Sequence, residues 1–90
     1  MIKTYTENVV SSDTISIAIV GMTMFNSEQI TKYAQAYIYD KNGMQRSQLM
    51  NMQIEPNETI FLSTKIFLSG GDELRVNGVE FTMSGDESAI

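Results

Sequence analysis

Glu73-Leu74-Arg75-Val76-Asn77-Gly78-Val79-Glu80-Phe81-Thr82-Met83 is the stretch that decides the fold class of this chain. Leu74 and Val76 alternate with Glu73, Arg75 and Asn77; Val79, Phe81 and Met83 alternate with Glu80, Thr82 and Ser84. Residues two apart share a face of an extended strand, so each half offers one apolar and one polar face. Between them, Asn77-Gly78 tolerates positive φ at both central positions of a tight turn. The spacing predicts a β-hairpin that pairs Val76 with Val79 and Leu74 with Phe81, with all the apolar side chains on one face.

The same period of two continues outward. Ile15, Ile17 and Ile19 alternate with Ser16, Ala18 and Val20, then the phase slips to Met22 and Met24 across Gly21. A glycine where the parity changes predicts a bulge or bend. Met50, Met52 and Ile54 mark a strand that Pro56-Asn57 ends. Ile60 and Leu62, then Ile66 and Leu68, mark two short strands split near Ser63-Thr64. Ser69-Gly70-Gly71-Asp72 and Asp40-Lys41-Asn42-Gly43 are turn sequences. One segment supports two readings. Asn26 followed by Gln29 forms a capping box, with Ile30, Tyr33, Ala34 and Tyr37 at helical spacing. Tyr33, Gln35, Tyr37 and Tyr39 also fit a period of two, and Tyr37-Ile38-Tyr39 is rich in strand formers. The favoured reading is a strand from about Lys32 to Asp40. The whole chain, residues 1–90, is therefore expected to be one all-β domain: a small antiparallel β-sandwich, jelly-roll or immunoglobulin-like, of seven to eight short strands.

Composition narrows the function. Ninety residues bury only about 60–65% of their unfolded surface, so docking or oligomerisation is a natural source of further stability. The chain has no cysteine and no histidine. That removes disulfides, thiolate metal sites, the commonest zinc ligand and the commonest general base. The formal net charge is −5, and the six basic residues (Lys3, Lys32, Lys41, Arg46, Lys65, Arg75) are scattered. No nucleic-acid partner is expected from such a distribution. No run approaches the roughly 18–20 apolar residues of a membrane span, and no membrane partner is expected. The polar-alternating start, Met1-Ile2-Lys3-Thr4-Tyr5-Thr6, does not read as a signal peptide, so a cytosolic origin is expected.

The candidate chemistry is sparse. Asp72, Glu73, Asp86 and Glu87 are the acids from which a catalytic dyad would have to come, and their turn and terminal positions read as solvated charge. Gly70-Gly71-Asp72 lacks the Gly-Lys-Ser/Thr of a phosphate loop. No alternating Asp/Asn calcium loop occurs. Asn57-Glu58-Thr59 matches a glycosylation acceptor but reads as a turn. No enzyme activity, cofactor or metal is expected. The candidate partner-binding surface is the row Tyr33, Tyr37 and Tyr39, read as core or subunit contact, with a ligand platform as the other option. The seven methionines read as gap-filling core.

Several of these elements together resemble a known family. Thr14 to Gly21-Met22-Thr23-Met24 is followed by Asn26, then by the strand Tyr37-Ile38-Tyr39-Asp40 closed by Asn42-Gly43. Ile54-Glu55-Pro56-Asn57-Glu58-Thr59 follows, and Lys65-Ile66-Phe67-Leu68 runs into Gly71-Asp72-Glu73-Leu74-Arg75-Val76. The order is similar to that of the small β-sandwich virion proteins of tailed bacteriophages, which decorate heads or form minor tail and fibre parts. The resemblance implies a capsid decoration or cement protein located in the virion and assembled in the host cytoplasm. It further implies a phage capsid or tail protein as partner, and a homo-oligomer, trimers being common. A minor tail or fibre protein that binds carbohydrate is the alternative.

Overall fold

The computed structural model describes residues 2–63 and 65–89. Nine strands occur among them: β1 (Ile2–Tyr5), β2 (Val9–Val10), β3 (Ile15–Phe25), β4 (Lys32–Tyr39), β5 (Gln45–Ile54), β6 (Thr59–Leu62), β7 (Ile66–Leu68), β8 (Glu73–Asn77) and β9 (Glu80–Ala89). No helix occurs among these residues, and none is long and apolar enough to cross a membrane. The segment after Asn26 is the expected strand, β4, rather than a helix.

All pairings are antiparallel and they are nested. β4 pairs with β5, β3 with β6 and β7, β2 with β8, and β1 with β9. The chain is thus one long antiparallel ribbon doubled back at the β4–β5 turn. The ribbon rolls up when β3 pairs with β9 and β4 with β8, which gives two sheets, β1-β9-β3-β6/β7 and β2-β8-β4-β5. This is the strand order of a jelly roll, which settles the choice against the immunoglobulin-like order. β6 and β7 are the two short strands expected there, and the expected seven to eight strands become nine because the two-residue β2 gives too little sequence to read. Thr64, at the expected split, and Met1 lie outside the described residues.

The predicted hairpin at Asn77-Gly78 is corrected. β8 pairs with β2 and β4, whereas β9 pairs with β1 and β3. Val76 is therefore not the ladder partner of Val79, nor Leu74 that of Phe81. The turn is an arch that carries the chain from one sheet to the other, so the two apolar faces meet across the core instead of lying side by side. Gly78 has φ +92°, and a Cβ there would lie 2.0 Å from the Tyr33 carbonyl oxygen. The glycine is needed because the arch passes directly against the backbone of β4.

Other punctuation is where the sequence puts it. The register of β3 against β9 slips between Ile19 and Gly21, which explains how Ile17 and Ile19 and then Met22 and Met24 all face inward. Gly70 and Gly71 take positive φ in the turn before β8, and Asn57 does so after Pro56. The core joins Ile17, Ile19, Met22, Met24, Leu68 and Met83 from one sheet to Val9, Ala34, Ala36, Ile54, Leu74 and Val76 from the other. Met22, Met24 and Met83 fill this core as expected of methionines, whereas Met50 is only partly buried against it and Met44 is exposed. Each large side chain removed from water contributes about 1.5–3 kcal/mol.

Asn26 and Ser11 are the buried polar residues among those described, and Asn26 is the larger. Its Nδ2 donates to the carbonyls of Ile30 (2.7 Å) and Ile54 (3.0 Å), and its Oδ1 accepts from the Glu28 amide (3.0 Å). Instead of capping a helix, Asn26 pins the β3–β4 connection to the end of β5.

Candidate docking surface

Strand alternation sends Ala34, Ala36 and Ile38 into the core, so Tyr33, Gln35, Tyr37 and Tyr39 point out of the β2-β8-β4-β5 sheet. The reading of the tyrosines as core is thereby corrected. Tyr33 is 58% exposed, and Tyr37 and Tyr39 are half-buried on the surface.

The structure brings the three tyrosines together on one face. The rings of Tyr37 and Tyr39 stand 6.3 Å apart at 59°. Tyr37 is the register partner of Arg75, whose guanidinium carbon sits 4.0 Å from the centroid of the Tyr39 ring. This cation–π contact is worth about 0.5–1 kcal/mol at an exposed site. Arg75 Nε also donates to Glu73 Oε1 at 2.6 Å. The Glu73 carboxylate, chiefly through that hydrogen bond, raises the guanidinium pKa above its ordinary value.

The neighbouring strands surround the rings with carboxamides. Gln53, Asn51, Gln48 and Gln45 of β5 are the register partners of Tyr33, Gln35, Tyr37 and Tyr39, and Asn77 of β8 is the partner of Gln35. Opposed residues share a face, so rings and planar amides interleave there. The only charges at these positions are Glu73 and Arg75, which neutralise each other. In a chain of net charge −5, this is a nearly neutral, aromatic and amide-rich surface.

The acidic residues do not assemble into a dyad. Asp72 is bridged to Arg46 (2.6 Å) and Glu73 to Arg75 (2.6 Å), while Asp86 and Glu87 lie on β9 in the other sheet. Asp86 and Glu87, as consecutive strand residues, point to opposite faces. Glu87 accepts the hydroxyl of Tyr5 and pairs with Lys3 (3.2 Å). These contacts, the Tyr5 hydroxyl first, hold its carboxyl below the ordinary carboxylate range. Burial, reinforced by Glu87, pushes the Tyr5 phenol up to about 12. Among the described residues no group of three or more acids, cysteines or histidines could hold a metal ion.

Sequence reading missed two features. The carboxamides belong to the face only through register, which alternation within a single strand does not reveal. The second is Phe61 and Phe67, which are 76% and 67% exposed. Their signal was present: each sits out of phase with the inward pairs Ile60/Leu62 and Ile66/Leu68.

No protein-family model, curated protein or solved structure matches this chain.

Proposed function

We propose that this protein is a non-enzymatic virion component of a tailed bacteriophage, a decoration or cement protein that docks on the assembled head through the tyrosine face of the β2-β8-β4-β5 sheet. The observation that carries the reading is the outward row Tyr33, Tyr37 and Tyr39, set among carboxamides on a nearly charge-free face of an acidic molecule. Tyrosine supplies large contact area at low entropic cost, and a face without uncompensated charge can be desolvated cheaply. The jelly-roll architecture and the resemblance in strand and turn order support the virion setting, although the fold by itself does not select a function.

The mechanism is linkage. A protein that binds the assembled shell and not its dispersed subunits stabilises the shell by about 2.7 kcal/mol per site at one hundred times its Kd. Adding the protein to undecorated capsids is expected to raise their melting temperature, and Tyr33→Ala is expected to weaken the effect. An unchanged melting temperature at saturating protein would exclude the cement role.

The second reading is a minor tail or fibre protein whose same face binds carbohydrate. Amides that both donate and accept hydrogen bonds, placed beside exposed rings, suit a polyhydroxylated ligand. Glycan binding lost in a folded Tyr37→Ala variant would favour it.

A further inference from the structure

A different part of the molecule carries an inference that is independent of the virion reading. The sandwich is open on the side where the edge strands β5 and β6/β7 face each other, and a cleft of about 310 Å³ enters the core there. Met22, Leu49, Met50, Met52, Leu62 and Ile66 line it. The register of β5 slips between its partners at Ala36 and Tyr37, so Leu49 is the extra residue of a bulge at the mouth of the cleft. A shallow depression on the outer face of the neighbouring sheet, floored by Val20, Gly21 and Phe61, shares Met22, Leu62 and Ser63 with the cleft. The apolar surface therefore continues from the exposed Phe61 ring over the β6 edge into the core.

We propose that this side is the contact between two copies of the chain, with Phe61 of each copy entering the methionine-lined cleft of the other. Two observations select a second copy as the occupant. First, projection and recess adjoin on a single edge, so one two-fold axis fills both clefts at once, as a self-complementary interface requires. Second, β5, β6 and β7 contain no acidic residue, and Arg46 is their one charged residue. On a molecule of net charge −5, two copies meeting here avoid the carboxylates that would repel them elsewhere. Methionines suit the recess because they repack around an inserted ring.

The test is the mass of the purified full chain by sedimentation, without any capsid present. The expected result is a dimer of the 10.1 kDa chain. Phe61→Ser is expected to weaken it about thirty-fold or more. Its circular dichroism should stay native, since the ring is mostly exposed. Tyr33→Ser, on the other face, leaves the dimer intact. A monomeric or trimeric wild type, or a dimer that withstands Phe61→Ser, overturns the proposal. Because no capsid enters the experiment, its failure is distinct from failure of the decoration role.

Discussion

Asn-Gly occurs twice in this chain, and the two copies do different work. At Asn42-Gly43 the chain reverses within one sheet, joining β4 to its ladder partner β5. Asp40 organises that turn: its Oδ1 accepts from the amides of Asn42 (2.9 Å) and Met44 (3.0 Å), and its carbonyl accepts from Gly43 (3.0 Å). At Asn77-Gly78 the chain leaves one sheet for the other, and the neighbour that matters is the remote Tyr33 carbonyl. Both glycines take positive φ, +79° and +92°. The dipeptide therefore reports backbone conformation and says nothing about which strands it joins. The arch has a consequence for the surface: it leaves β8 beside β4, which puts Arg75 against Tyr37 and Tyr39.

Substitution separates the two turns sharply. Gly78→Ala drives a Cβ into the β4 backbone, which cannot yield without moving the sheet. The expected loss is about 4 kcal/mol or more, a large part of the roughly 5–13 kcal/mol available to ninety residues. Thermal melts should show the melting temperature lowered by about 15–30 °C. A native-like melt would mean that the arch does not cross β4 as described.

Asn26→Ala comes next in size. It removes two donated hydrogen bonds and one accepted one from a buried site, at an expected cost of about 2–3 kcal/mol. Asn42→Ala, at the exposed hairpin, serves as the near-neutral reference. Equal denaturation midpoints for the two variants would contradict the assigned role of Asn26. Gly43→Ala is smaller again. Nothing lies within 4 Å of its added Cβ, so only the left-handed backbone resists it, by about 1–2 kcal/mol. The gap between Gly43→Ala and Gly78→Ala is the sharpest expression of the contrast.

The smallest expected effect lies on β1 and β9, away from both turns. Tyr5 is raised from its ordinary 10 to about 12, so the folded state favours the neutral phenol. That contribution is complete below pH 10 and is lost as pH climbs through about 12. Glu87 is lowered, so its contribution is present above the ordinary carboxylate range and is lost as pH falls through its depressed value. Tyr5→Phe should flatten the melting temperature profile at both extremes. A profile identical to wild type would show that the pair contributes nothing.

What could be read from the sequence follows from what alternation encodes. Parity identifies the buried face of a strand, so Ile17, Ile19, Met22, Met24, Leu74, Val76 and Met83 are legible as core, and the phase slip at Gly21 is legible as a bulge. Parity is silent on partners, because an inward face looks the same whether its neighbour is hydrogen-bonded beside it or packed across the core. That is why Leu74 and Phe81 read as a ladder pair. The tyrosine row was visible as a row, but its direction was not. Ala34, Ala36 and Ile38 form an equally apolar opposite face, and only the bulk of the facing sheet decides which phase goes in. The carboxamides of β5 join the face through two register slips that no local pattern announces.

The position of β8 underlies both the closed core and the tyrosine face, and nuclear Overhauser contacts between backbone protons test it directly. Cross-strand contacts of Arg75 with Tyr37 and of Leu74 with Ile38 are expected, alongside contacts of Phe81 with Met24. Cross-strand contacts joining Val76 to Val79 and Leu74 to Phe81 would restore the hairpin and dismantle the surface built on the arch.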